Sequence, residues 1–418
     1  MDTPSPVVAA LKHFFLPSTV IPPSVNQLNN NVALCIILSC VSLTYKGRVP
    51  SAFRVALFFP AAYYSYYTVC KDHDVPNRIA SSAITFGGSL LAFKAFDICI
   101  VSLFDREPPH WVKNGKLVPL PETLVGRVAY AVDLFFSFRG SSWFGGYSWD
   151  WAPKYIAAYS PPKSRISHIS RGVLTFLAYY LALDACETFA QQEKWDLSQA
   201  HPVLTLPLSK QLLFSLFIAT NTFIVIQINY IFISVVCVMM GSSPSSWPPM
   251  FNRPFTSKSL QDFWSNRWHH YFKRAFERAS IPAMVLVPQS WSPAVRRVTR
   301  AIIIFGFSTV YHLYLVQRNF SVRNWETKWQ FVDSSTLLFF LLQPVGLLIE
   351  RALLVPLSRS LPETSQTWVT RIWVWGWLLW TGRYWADVWV RSGMWNVGAG
   401  HVAWSPIRGV IFNQWFLL

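Results

Sequence analysis

Leu206–Met240, LPLSKQLLFSLFIATNTFIVIQINYIFISVVCVMM, decides the fold, because Lys210 is the only charged side chain along its whole length. A helix crossing the bilayer core needs about 20 predominantly apolar residues. This run is long enough for one tilted span with an extension, or for two tight spans broken near Asn221. In hydrocarbon the backbone has no water to bond to, so such a run must be helical. Gly241–Met250, GSSPSSWPPM, then breaks it with Gly, Ser and Pro in series.

Composition extends that reading to the whole chain. Of 418 residues, 52% are hydrophobic and 13% charged, against about 25% charged in a soluble domain. Further spans are expected at Val32–Tyr45 with its flanks, Ala52–Cys70, Ile79–Phe104, Ile169–Phe189, Ala301–Val316, Ser334–Leu354 and Trp368–Val390. The expected fold is therefore an all-α polytopic membrane protein of about eight to ten transmembrane helices. Lys94 and Asp97 sit awkwardly inside the third of these runs. Val125–Phe138 is too short and too charged for a span and is placed at the membrane interface. Phe138–Pro153, FRGSSWFGGYSWDWAP, reads as ordered irregular backbone, a turn cluster or a substrate-facing loop.

Residues 1–24 form a Pro- and Ser-containing segment ahead of a single membrane-embedded domain at 25–418, with no cleaved signal-peptide pattern. Ten of the 21 tryptophans lie between Trp368 and Trp415, where a headgroup-level belt is expected. Six cysteines, mostly in apolar runs, make no C-x-x-C or Cys/His pattern, so no metal site is expected. Arg383 and Asp387, four apart in the last long span, are expected to form a structural ion pair.

Net charge is +16. In a membrane protein that points to basic cytosolic loops, and no run resembles a nucleic-acid arm. The loop Ser243–Arg300 carries nine cations against two anions, Asp262 and Glu277, and is expected on the cytosolic face. Within it Ser259–Phe276, SLQDFWSNRWHHYFKRAF, reads as a helix. Leu260, Phe263, Trp264, Trp268, Tyr271, Phe272 and Ala275 form one stripe, and Asp262, Asn266, His269 and Lys273 the other. Such a helix is either an interfacial anchor or part of a site. The second candidate position is His312, in AIIIFGFSTVYHLYLV, since an ionisable residue inside an apolar span is costly and defaults to function. No H-x-x-x-D, H-E-x-x-H, G-x-S-x-G or Walker A pattern occurs.

Ser259-Leu260-Gln261-Asp262-Phe263-Trp264-Ser265-Asn266-Arg267-Trp268-His269 resembles the signature of plant wax ester synthases and of their fungal relatives that acetylate terpenoid and meroterpenoid hydroxyls. Both are similar to the wider membrane-bound O-acyltransferases. Ser308-Thr309-Val310-Tyr311-His312 is similar to that family's S-G-x-x-H, with Thr309 in place of the usual Gly. Arg139-Gly140, Gly145 and the Trp149/Trp151 pair weakly resemble a third stretch. The resemblance, over roughly residues 135–390, implies a membrane-bound O-acyltransferase-like fold in the endoplasmic reticulum. It implies transfer of acetyl from acetyl-CoA, a co-substrate and not a resident cofactor, to a hydroxyl of a hydrophobic terpenoid or meroterpenoid. Long-chain acyl transfer to a fatty alcohol is the alternative within the class; a carrier or a non-catalytic scaffold are the alternatives outside it. His312 would act as general base, with its polar partner near Asp262–Asn266; Asn266 would polarise the thioester carbonyl, and His269 would be either a second polar contact or a structural member of the motif. Arg267, Trp268, Lys273 and Arg274 would meet coenzyme A.

Overall fold

The structure, a computed structural model, describes residues 25–70, 78–196, 199–321, 333–395 and 402–416, leaving aside the side chains of 25–28, 69–70, 78–83 and 317–321. The expected 1–24 segment lies outside the described residues. The main helices are α1 (Val25–Ser42), α2 (Arg48–Cys70), α3 (Arg78–Cys99), α4 (Leu124–Phe136), α5 (Arg165–Ala190), α6 (Leu208–Met239), α7 (Lys273–Val285), α8 (Pro293–Ser321), α9 (Ser334–Ile349), α10 (Glu363–Arg391) and α11 (Pro406–Phe412). The deciding run is thus one continuous helix. Asn221 does not break it: buried, it donates to Glu187 Oε1 at 3.4 Å, one polar group satisfying another.

Five of the described helical segments are long and apolar enough to cross a membrane: Ile84–Phe104, Arg165–Ala190, Leu208–Met239, Pro293–Val316 and Ser334–Ser358. The sequence reading of eight to ten also counts segments that fall short of this standard. The apolar part of α1, Asn29–Ser42, is shorter, and α10 carries Arg371, Arg383 and Asp387 along its length.

The chain divides into two compact units. One takes residues up to Pro153 together with His270–Asp333; the other takes Lys154–His269 and Ser334–Leu418. In the first, α1 to α4 share a core of Ile36, Cys40, Ala61, Ile98, Tyr130, Leu134 and Trp149. A second cluster joins Leu90 of α3 to Phe272, Phe276 and Tyr311. Three very short antiparallel strands, β1 (Trp111–Lys113), β2 (Lys116–Leu117) and β3 (Ser148–Trp149), add a small sheet in the order β2-β1-β3. The 138–153 stretch is ordered and irregular, as read. Gly140 takes φ +89°, and a Cβ there would lie 2.6 Å from the Ala152 Cα, so only glycine fits. Asp133, fully buried, holds the stretch by accepting from the Trp143 N–H and Trp111 Nε1 at 2.5 and 2.6 Å. Burial pushes its carboxyl pKa up, and these hydrogen bonds partly offset the rise.

In the second unit α6 packs on α5 and α10, and α9 on α10. Two sequence expectations need correction. Asp387 does not pair with Arg383. It accepts from Arg391 Nε at 3.1 Å, Ser335 Oγ at 3.0 Å and the Val203 N–H at 3.1 Å, and lies 2.9 Å from His201 Nδ1. Arg383 instead donates to Gln211 Oε1 and lies over the Trp380 ring. The same i,i+4 spacing exists on both sides of Asp387, and the C-terminal side is the one used. Second, Ser259–Phe276 is not one helix: Trp268 leaves helical geometry at ψ 163°, and the helix resumes at Lys273. Its aromatic stripe therefore divides between cores. Leu260 and Phe263 go to one with Val374, Phe272 and Phe276 to the other with Leu90.

Candidate active site

The signature starts with a cap. Ser259 Oγ accepts the Asp262 N–H at 2.8 Å, closing the short helix Leu260–Asp262. The backbone then widens into a π-turn, Phe263–Arg267, a rare geometry that occurs often at functional sites. The turn brings Asn266 and Arg267 together onto Asp262. Asn266 Nδ2 donates to Oδ1 at 3.2 Å and Arg267 Nε donates to Oδ2. Arg267 Nη1 also donates to Thr256 Oγ1 at 2.7 Å and to the carbonyls of Asn252 and Arg253 at 3.4 Å. Arg267 is thus a strut between the 252–257 turn and the signature; its Nη2 makes no hydrogen bond among the described residues.

Trp268 stacks on Phe263 at 5.1 Å and meets Phe251 edge-on at 5.0 Å, so its indole serves packing. The His269 ring lies 5.7 Å from Trp268 and 6.0 Å from Phe251. Asn266 is exposed. The second unit therefore gathers Asp262, Asn266, Arg267, Trp268 and His269 on one turn of chain.

The other expected residues lie in the first unit. Lys273 Nζ is 4.0 Å from Glu277 Oε1, one turn on. Arg274 Nε donates to Asp97 Oδ2 at 3.1 Å, with its guanidinium 4.2 Å over the Trp151 ring. Arg278 donates to Asp97 Oδ1 at 2.5 Å and grips both Asp105 oxygens at 2.6 Å. Burial alone would lower the Arg278 pKa, but Asp105 and Asp97 outweigh it and hold the charge more firmly than in water. The awkward charges of α3 are explained here: Asp97 anchors α7, and Lys94 donates to the Ser137 carbonyl at 2.8 Å.

His312 sits on α8 with Nδ1 2.7 Å from the Ser308 carbonyl. A carbonyl can only accept, so Nδ1 carries the hydrogen and Nε2 is the ring's acceptor nitrogen. The Tyr311 ring meets the imidazole at 4.7 Å and packs on Phe272 at 4.3 Å, which fixes its orientation. Thr309 is buried, its hydroxyl donating to the Phe305 carbonyl at 2.7 Å. The replacement for Gly is thus satisfied within the helix.

Four supporting residues escaped the sequence reading: Gln343 and Glu350 beside the signature, Arg278 on α7 and Asp105 beside it. For Glu350 the available signal was an acid inside the apolar run LLIERALL. Among the described residues, no group of three His, Cys, Asp or Glu could hold a metal.

Comparison with known proteins bears on the same stretch. Residues 247–342, which contain both the signature and His312, match the Membrane bound O-acyl transferase family. Acetyltransferase ple2 of Rhodocybe pseudopiperita is 25% identical over 252 residues, covering 58% of this chain and 59% of that protein. O-Mevalon transferase yanI of Aspergillus niger is 24% identical over 289 residues, covering 62% and 61%. Acetyltransferase aurG of Calcarisporium arbuscula is 28% identical over 164 residues, covering 37% and 38%. The matches span about two fifths to three fifths of the length of these relatives. The stretch that carries both the signature and His312 is thus similar to the Membrane bound O-acyl transferase family, and a longer part of the chain is similar to these fungal transferases.

Proposed function

We propose that the protein is an acetyl-CoA-dependent O-acetyltransferase acting on a hydroxyl of a hydrophobic terpenoid or meroterpenoid, in the endoplasmic reticulum membrane, within secondary-metabolite biosynthesis. The observation that carries this reading is His312: an imidazole on an apolar helix whose Nδ1 hydrogen points to the Ser308 carbonyl, which makes Nε2 the basic ring nitrogen. Nε2 removes the alcohol proton as the alcohol oxygen attacks the thioester carbonyl. The new C–O bond forms, the C–S bond breaks, and the proton passes from the imidazolium to the departing thiolate. No covalent enzyme intermediate is required, because a thioester is already activated.

Asn266 is assigned the carbonyl oxygen, a role worth about 3–4 kcal/mol when well aimed. Its bond to Asp262 Oδ1 uses one amide hydrogen and leaves the other to donate. Asp262 orients Asn266 and Arg267, and His269 is a second polar contact beside them. Lys273, Arg274 and the Nη2 of Arg267 attract the phosphates of coenzyme A, and Trp268 holds the turn that presents Arg267. The acyl group is where the relatives diverge, two being named acetyltransferases and one a mevalon transferase. Incubating microsomes containing the protein with acetyl-CoA, longer acyl-CoAs and a panel of terpenoid and fatty alcohols, and measuring free thiol, tests the reading. Thiol release dependent on acetyl-CoA and a terpenoid alcohol is expected. Release with long-chain donors and fatty alcohols alone would replace it by wax ester synthesis, and none with any pair would remove the transferase assignment.

A further inference from the structure

We propose that Gln343, Gly346 and Glu350 form a seat that fixes the height and rotation of the signature, and that they are positioning residues for the transfer reaction. This rests on the reading above for its catalytic consequence, but not for its geometry.

The three residues recur at i, i+3 and i+7 along α9 and the π-turn Glu350–Leu354 that continues it, so they share one face. Each meets a different part of the signature. Glu350 Oε2 accepts the Leu260 N–H at 2.6 Å and Oε1 the Gln261 N–H at 3.5 Å. These are first-turn amides, which a helix leaves without internal partners. Gln343 Oε1 accepts from Trp264 Nε1 at 3.3 Å. Its amide cannot be turned round, because Nε2 donates to the Phe339 carbonyl at 2.8 Å and to Thr381 Oγ1 at 3.2 Å. Between them Gly346 leaves a notch. A Cβ there would lie 2.9 Å from Leu260 Cδ1 and would also strike the Trp377 indole, and Leu260 is fully buried.

An acid in a helix apolar enough to span a membrane is retained only where it does something. Glu350 is buried, and its carboxylate grips the backbone that opens the signature. The grip is transmitted within a single turn. Leu260 and Gln261 lead into Asp262, and Asp262 holds both Asn266 and Arg267. The seat contacts neither of the last two; it acts through Asp262.

The test compares Glu350→Gln with the parent chain in a Gln261→Cys background, purified in detergent. Gln261 is exposed and Cys186 is buried in the same unit. Maleimide labelling at position 261 reports the signature, and labelling of Cys186 reports general loosening. The seat predicts faster labelling at 261 with Cys186 still protected. It also predicts a kcat loss of roughly ten- to a hundredfold, the range for a charge-assisted hydrogen bond, with partial rescue by Glu350→Asp. Equal labelling at 261, or Cys186 opening in step with it, would overturn the seat. If Glu350→Gln does not fold, Gln343→Met is judged by the same comparison. If the parent chain transfers no acyl group at all, the transferase reading falls, and the labelling still decides the seat.

Discussion

Replacing Asp97 by Asn should unlock α7 while leaving the shape of the site nearly unchanged. Asp97 is only 3% exposed. It accepts from Arg274 at 3.1 Å and from Arg278 at 2.5 Å. Removing one partner of a buried ion pair costs about 3–5 kcal/mol, because the other charge stays buried. Arg278 keeps both oxygens of Asp105, so the loss falls mainly on Arg274, which retains the face of Trp151. The low end, about 3 kcal/mol, is therefore expected. At about 2–4 °C per kcal/mol for a unit of this size, the melting midpoint should fall by roughly 6–12 °C. Midpoints are read by heating detergent-extracted protein and following the monodisperse peak on size exclusion. Adding Arg274→Gln to Asp97→Asn removes the stranded charge, so the double variant should be less damaged than the sum of the singles, by about 0.5–3 kcal/mol. An Asp97→Asn midpoint within about 1 °C of the parent, or strict additivity, would refute the anchoring role.

Three further outcomes follow from the same contacts. Arg267→Lys should raise the acetyl-CoA KM about ten- to a hundredfold, as expected for a lost charge-assisted contact, and spare the alcohol's KM; an unchanged donor KM with a lowered melting midpoint would leave Arg267 as a strut alone. Lys258→Cys, at an exposed position of the basic loop, should react with an impermeant thiol reagent only when the cytosolic face is open; labelling from the lumenal side would reverse the topology and the donor route. Arg391→Gln should lower the melting midpoint more than Arg383→Gln, since Arg391 faces the fully buried Asp387 and Arg383 an amide; the opposite order would contradict the pairing.

What was legible in the sequence was whatever depends on side-chain type and period. Apolar runs without charge specify helices in a membrane, and α6 follows from its run because nothing in it competes with the helix. His312 stood out because an imidazole is out of place beside Ile, Phe and Val. The break at Trp268 was not legible: a π-turn leaves no mark in a periodic aromatic pattern, and the stripe reads the same whether one core or two receive it. Asp97 looked like a blemish in its span and Glu350 passed unremarked, because their partners are 177 and 90 residues away, beyond any local spacing rule. Asp387 shows the converse limit, in that sequence supplies two arginines at equal spacing and only the folded arrangement shows which one pairs.

His312→Gln tests the central claim most directly. Glutamine keeps the capacity to hydrogen-bond and loses the basic nitrogen, so the two roles of the side chain separate in one variant. General base catalysis contributes about 10²–10⁴-fold. Folded, membrane-inserted His312→Gln protein should therefore show kcat at least about a hundredfold below the parent for acetyl transfer, close to His312→Ala. If His312→Gln keeps most of its activity, the imidazole is a structural residue and the proton acceptor lies elsewhere.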